Sequence, residues 1–153
     1  MYIPRNSEIL KNFVIQNSSE TAFQTVFNSS QVNDLPGTSV TFTPDSNATK
    51  VVYEFWLQGC DTAGGWGNVN TFELYENTGS GFAAMGSGFK IRHIYYRPWQ
   101  NQVFYGKFIL DSYSGSRTYK LTTFTNHNYY RTYFYEDEDG NHVNPIVIMY
   151  DLV

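Results

Sequence analysis

Residues 128–135, Asn-Tyr-Tyr-Arg-Thr-Tyr-Phe-Tyr, constrain this chain more than any other stretch. Successive side chains of a strand point to opposite faces. Tyr129, Arg131, Tyr133 and Tyr135 therefore share one face, and Tyr130, Thr132 and Phe134 the other. Both faces carry rings, while one small domain supplies one core. The second face calls for another apolar partner, either a further copy of the chain or a ligand that stacks on aromatic rings. Tyr129, Arg131, Tyr133 and Tyr135 are accordingly the candidates for a subunit interface.

Composition points the same way. Of 153 residues, 18% are aromatic and only 16% charged, so the surface is built from Asn, Ser, Thr, Gln and Tyr rather than Lys and Glu. Strong helix formers are scarce, which favours strands. The length suits one domain. Net charge is −4 and the ten Lys and Arg residues are scattered singly, so there is no basic stripe for nucleic acid. Cys60 is the only cysteine, which excludes an internal disulfide framework. The N-terminal residues lack a signal-peptide pattern, and no run reaches the roughly 20 apolar residues of a membrane span. With no such signal, the sequons at Asn17, Asn28 and Asn47 read as coincidence in an Asn/Ser-rich chain.

Turn clusters cut the chain into short extended runs. Alternating or apolar segments fall at 22–27, 39–43, 50–58, 71–76, 82–85, 89–97, 103–110, 117–125, 128–135 and 146–152, separated by turns such as Asp34-Leu-Pro-Gly37. Residues 50–58 are apolar on both faces and mark a central strand. About nine to ten antiparallel strands at roughly 10-residue spacing indicate an all-β, single-domain β-sandwich, with the jelly roll as first choice. Residues 1–20 stand apart from the domain at 21–153. A cap at Asn6 or Ser7 and the group Ile9, Leu10 and Phe13 admit two readings: a helical turn and edge strand on the same sandwich, or a short N-terminal arm that docks on a neighbouring subunit.

The stretch Gly37-Thr-Ser-Val-Thr-Phe-Thr-Pro44, followed by Lys50-Val-Val-Tyr-Glu-Phe-Trp-Leu-Gln58, resembles proteins of marine tailed phages. The strands at 72–75 and 145–150 fit the same plan. Those proteins have jelly-roll domains of the tumour-necrosis-factor and complement type and occur as head decorations, head fibres and tail-fibre tips. The resemblance implies a virion component, assembled in the host cytoplasm, and a homotrimer. It contains strands and turns and no chemistry.

In Glu136-Asp-Glu-Asp-Gly-Asn141 a calcium loop would need Tyr135 as first ligand and lacks the closing Glu, so a hairpin turn with Gly140 at positive φ accounts for it better. His93, His127 and His142 lack metal-ligand spacing, and Cys60 has no His or Cys beside it. Gly79-Ser-Gly81 and Gly86-Ser-Gly88 lack the pattern of a nucleophile elbow. Glu54, Glu73 and Glu76 are the strand acids that a glycoside hydrolase would need. Glu54, between large apolar groups, is expected to pair with an Arg such as Arg92 or Arg117. Trp66 and Trp99 are loop aromatics that suit either packing or sugar stacking.

The sequence thus points to a non-enzymatic structural protein without a cofactor. The first expectation is a capsid decoration or cement trimer that binds the major capsid protein through Ile9, Leu10 and Phe13. The second is a receptor-binding fibre tip that takes a host-surface glycan at Trp66 and Trp99. Neither involves nucleic acid or membrane insertion.

Overall fold

The computed structural model describes residues 10–17, 23–26, 32–61, 68–95, 101–125, 131–135, 137 and 139–153. These form an all-β sandwich of two six-stranded sheets. Sheet A holds β1 (Leu10–Asn17), β2 (Phe23–Val26), β5 (Lys50–Asp61), β9 (Asn101–Asp111), β11 (Arg131–Phe134) and β12 (Ile146–Leu152). Sheet B holds β3 (Asn33–Asp34), β4 (Val40–Phe42), β6 (Asn68–Asn77), β7 (Phe82–Ala84), β8 (Lys90–Tyr95) and β10 (Arg117–Thr125). Among the described residues, no helix is long and apolar enough to cross a membrane.

The pairing is nested, which defines a jelly roll. The outermost strands β1 and β12 pair, then β4 and β10, then β5 and β9, then β6 and β8, all antiparallel. These four pairs fall in alternate sheets, and β2 with β11 adds a further nested pair to sheet A, so a single long hairpin has wrapped around one core. The core is aromatic. Phe55 from β5 meets Phe72 from β6 at 5.5 Å between ring centroids, and Phe104 and Phe134 contact Phe72 at 5.1 and 5.9 Å. Gly106 sits opposite Phe55, where a Cβ would come within 2.7 Å of the Phe55 ring and 2.6 Å of Ile91. Lack of a side chain there lets the two sheets close on Phe55.

Strand β5 is central, as its double apolar pattern requires. β9 runs along one side of it from Lys50 to Cys60. On the other side β12 covers Lys50–Trp56 and β11 covers Gly59–Asp61. β11 and β12 therefore lie end to end along one edge of β5, with the intervening loop looped out between them. The acidic segment is the tip of this excursion and closes as the expected hairpin turn: the Val143 N–H donates to Tyr135 O at 2.8 Å and the Asp137 N–H to Asn141 O at 2.9 Å. Asp137 Oδ1 accepts from the backbone N–H groups of Asp139 and Asn141 at 3.0 and 2.7 Å, and Gly140 has φ 79°. Those donors hold the Asp137 carboxyl below its usual range, the Asn141 side chain contributing most.

The backbone bears on two expectations. From Leu10 on, the N-terminal segment is an edge strand of sheet A, with Phe13 opposite Tyr150 and Ile15 opposite Ile148, and the helical turn expected ahead of it lies outside the described residues. Tyr135 leaves the alternation that would set it beside Tyr133. It adopts φ 64°, its N–H donates to Gln58 O at 2.8 Å, and its ring is fully buried. Its hydroxyl donates to Pro36 O at 2.6 Å, just as Tyr53 donates to Thr38 O at 2.6 Å. The Pro-Gly turn at 35–38 is thus stitched down by two buried tyrosines, and Tyr135 has no surface to offer a neighbour.

Candidate functional site

The two outer faces of the sandwich are the places where this fold can meet another molecule, and that of sheet A is apolar. Its rows follow from the register of β12, β5 and β9. One row is Tyr150, Val52 and Ile109; the next is Ile148, Glu54 and Lys107; the third is Ile146, Trp56 and Tyr105. Register with β12 places Phe13 and Ile15 beside the first two rows. Val103, Ile109, Tyr105 and Ile146 are 65%, 55%, 42% and 40% exposed, unusual values for large apolar side chains standing together. A shallow cleft of about 150 Å³ lined by Trp56, Val103, Val143 and Ile146 opens at one end of the face.

Glu54 lies at the centre of this face. Its carboxylate accepts from Tyr105 OH at 2.7 Å and from Tyr150 OH at 3.0 Å, one hydroxyl on each oxygen. Neither expected arginine joins this group, because Arg92 lies on β8 of the other sheet opposite Thr71 and Arg117 pairs with Glu76 at 2.8 Å. Two tyrosines satisfy Glu54 because strand register brings them diagonally over it from both neighbouring strands. The carboxylate in turn resists ionisation of those phenols. Tyr150 is pushed up to about 12, by burial first and by Glu54 second, and Tyr105 is raised chiefly by its hydrogen bond to Glu54. Lys107, directly opposite Glu54 in the register, is exposed and has no ion-pair partner among the described residues.

The other strand acids are engaged elsewhere. Glu73 is buried on sheet B and pairs with Lys90 at 3.1 Å. Glu76 accepts from Arg117 and from Tyr119 OH, both at 2.8 Å, at the open end of the core. There Arg117 also stacks on the Tyr113 ring at 4.3 Å. Two open clefts of about 470 and 230 Å³ flank Tyr113, one reaching Asp45, Ser46 and Ser114, the other Glu76, Phe89 and Asp111. Among the described residues no group of three His, Cys, Asp or Glu side chains is placed to hold a metal.

Of the residues singled out from sequence, Ile9, Trp66, Trp99 and Tyr129 lie outside the described residues. Arg131 opens β11 opposite Val26, and Tyr133 pairs with Cys60 and is half-buried. Leu10 and Phe13 fall on β1. The exposed apolar face centres instead on β5, β9 and β12. Its signal was present in β9, where Val103, Tyr105 and Ile109 on one parity are as apolar as Phe104, Phe108 and Leu110 on the other. That is the same two-faced pattern that marked residues 128–135.

No family model matches the chain, and no curated protein matches it. Among solved structures it is similar to the enzymatically active domain of tailspike protein 4 of bacteriophage CBA120, with 8% identity and a TM-score of 0.27 over 93% of this chain. The chain spans 19% of that structure's length. A superposition of that quality transfers neither activity nor assembly.

Proposed function

We propose that the protein is a homotrimeric structural component of a phage virion, a capsid decoration or cement module whose subunits close on one another through the outer face of sheet A. The observation that carries this is the row structure of that face: exposed Val103, Tyr105, Ile109 and Ile146 around Glu54 and Lys107, the latter without an ion-pair partner among the described residues. An apolar face of this kind gains by burial at roughly 25 cal/mol per Å². The resemblance of residues 37–58 to phage jelly-roll proteins supports both the trimeric order and the virion setting. Strand acids that are each held by tyrosine, lysine or arginine support a passive role rather than hydrolysis.

The occupant of the face is a second copy, because the charges on it complement each other: its acid and its base are of opposite sign and lie side by side. The test is sedimentation of the full chain and of Ile109→Asp, each followed by co-sedimentation with undecorated capsids. The wild type is expected as a trimer that binds capsids, and the variant as a folded monomer that does not. A wild-type monomer would refute the assembly, and a trimer that ignores capsids would refute the decoration role.

The clefts beside Tyr113 favour a second reading, a glycan-binding fibre tip, since they join an aromatic ring to serine and carboxylate groups. Glycan-array binding by the wild type that disappears in Ser114→Trp, with the oligomer intact, would support it over the decoration role.

A further inference from the structure

The smaller of the two clefts beside Tyr113 holds a carboxylate that is fixed through one oxygen and unused at the other. Register sets Tyr119 of β10 directly opposite Glu76 of β6, with Arg117 two residues earlier on the same side of the strand. Both donate to a single atom: Arg117 Nη1 and Tyr119 OH each lie 2.8 Å from Glu76 Oε1. Burial first, then Tyr113 and Glu76, raises the Tyr119 hydroxyl far above its ordinary ionisation, so it remains a donor. Glu76 Oε2 has no hydrogen-bond partner among the described residues, and Glu76 lines the cleft. An acceptor set in this way is oriented before any ligand arrives.

The rest of the cleft supplies complementary groups. Phe89 and Met85 form an apolar wall, and Arg117, stacked on Tyr113 at 4.3 Å, has further N–H donors beyond Nη1. Acceptor, donors and apolar wall within about 230 Å³ match a sugar ring, whose edge carries hydroxyls and whose face is C–H. Charge narrows the class. Among the described residues, the one base lining either cleft is Arg117, already paired with Glu76, whereas Asp45 and Asp111 line them as well. An anionic sugar would meet three carboxylates and a single engaged base; a neutral sugar meets no such repulsion. Ser112 and Tyr113 line both clefts, so the two are contiguous.

We infer that the smaller cleft binds a neutral hexopyranose unit, with Glu76 Oε2 accepting from its hydroxyls and Phe89 beside its C–H face, and that the glycan continues into the larger cleft past Tyr113. The inference rests on the glycan reading of these clefts and adds the class of sugar and the residue that selects it. The exposed residues of the sheet A face line neither cleft, so the trimer and the sugar do not compete for the same side chains.

Saturation-transfer difference NMR on the full chain tests this, with methyl glycosides of glucose, galactose and mannose as neutral probes and glucuronic and sialic acids as anionic ones. At least one neutral glycoside should bind, and the acids should bind about tenfold more weakly or not at all. In Glu76→Gln the amide must keep its oxygen toward Arg117 and Tyr119, so the ligand meets an N–H donor where it had an acceptor. Affinity should fall about tenfold or more. Should that variant fail to fold, Ser112→Trp fills the junction of the clefts without touching the ion pair, and should remove binding. Neutral binding that survives Glu76→Gln but is lost in Ser114→Trp, or an acid bound as tightly as the best neutral probe, would overturn this assignment and leave the glycan reading standing. Binding of no probe, or binding untouched by both Ser112→Trp and Ser114→Trp, overturns both.

Discussion

The outer faces of the two sheets are built on the same alternation and end in opposite states. On sheet B, Thr71, Glu73 and Tyr75 of β6 stand beside Thr122 and Lys120 of β10, and the acids are paired within the subunit, while exposed Arg92 opposite Thr71 has no ion-pair partner among the described residues. Lys90 meets Glu73 at 3.1 Å and Lys120 meets Asp34 at 2.7 Å, while Thr41 and Thr118 share a hydrogen bond of 2.8 Å. On sheet A the corresponding positions are largely Val, Tyr, Ile and Trp, and Lys107 in their midst has no ion-pair partner among the described residues. A face whose acids are each paired with a base is close to finished. A face that is apolar and carries a free charge is complete only when something covers it.

The contrast can be broken most forcefully by placing a charge on each face. Ile109→Asp on sheet A should weaken self-association about 1,000-fold or more, since a carboxylate there would be buried without a partner. Thr41→Asp on sheet B should leave the sedimentation coefficient per assembly unchanged. An equal effect of the two would remove the distinction between the faces.

A change beneath the surface sharpens the comparison. Gly106→Ala on β9 drives a methyl group against Phe55 and Ile91, and chemical denaturation should show a loss of roughly 1–3 kcal/mol. Because Gly106 lies on the inner parity of β9, that loss belongs to the fold, and the stoichiometry of the assembly should persist in the surviving folded protein.

Titration offers a gentler probe. Tyr150 on the sheet A face has its ionisation raised from 10 to about 12, by burial and then by Glu54. A folded-state value above the unfolded one means that its contribution is full below pH 10 and declines as pH rises from there through about 12. Ultraviolet titration of tyrosinate should therefore show a late-ionising group that moves to lower pH in Glu54→Gln. His93 behaves in the reverse sense. Partial burial lowers it, and its ring packs edge-on to Phe72 and Phe104 at 5.6 and 5.5 Å. Its stabilisation is present above pH 6.5 and declines in acid, so His93→Phe should flatten the acid limb of a stability profile. The smallest effect is expected at the finished face: Lys120→Ala removes an exposed pair with Asp34 and should cost less than about 1 kcal/mol.

Much of the fold was legible because strand alternation and turn chemistry are local. The runs at 50–58, 71–76, 103–110, 117–125 and 146–152 all emerge as strands, and the Pro-Gly turn at 36–37 sits where the residues place it. The jelly-roll winding follows from their order. The site was less legible, for a physical reason. Which of two apolar faces remains uncovered depends on what packs across the sandwich, and that information is not local. Tyr135 shows the limit: period-2 reasoning puts it outside with Tyr133, whereas a left-handed backbone and the Pro36 carbonyl pull it inside. Glu54 shows another. Its neighbours in sequence suggested an arginine partner, but its real partners are tyrosines 51 and 96 residues away.

The central claim concerns coverage, and side-chain footprinting with hydroxyl radicals reads coverage directly. Tyr105 is 42% exposed on a single subunit and lies at the heart of the sheet A face, while Tyr75 reports on sheet B. At micromolar concentration Tyr105 should be protected in the wild type and labelled in Ile109→Asp, with Tyr75 labelled alike in both. Equal labelling of Tyr105 in the two proteins would mean that the face stands open to water, and the account would fail.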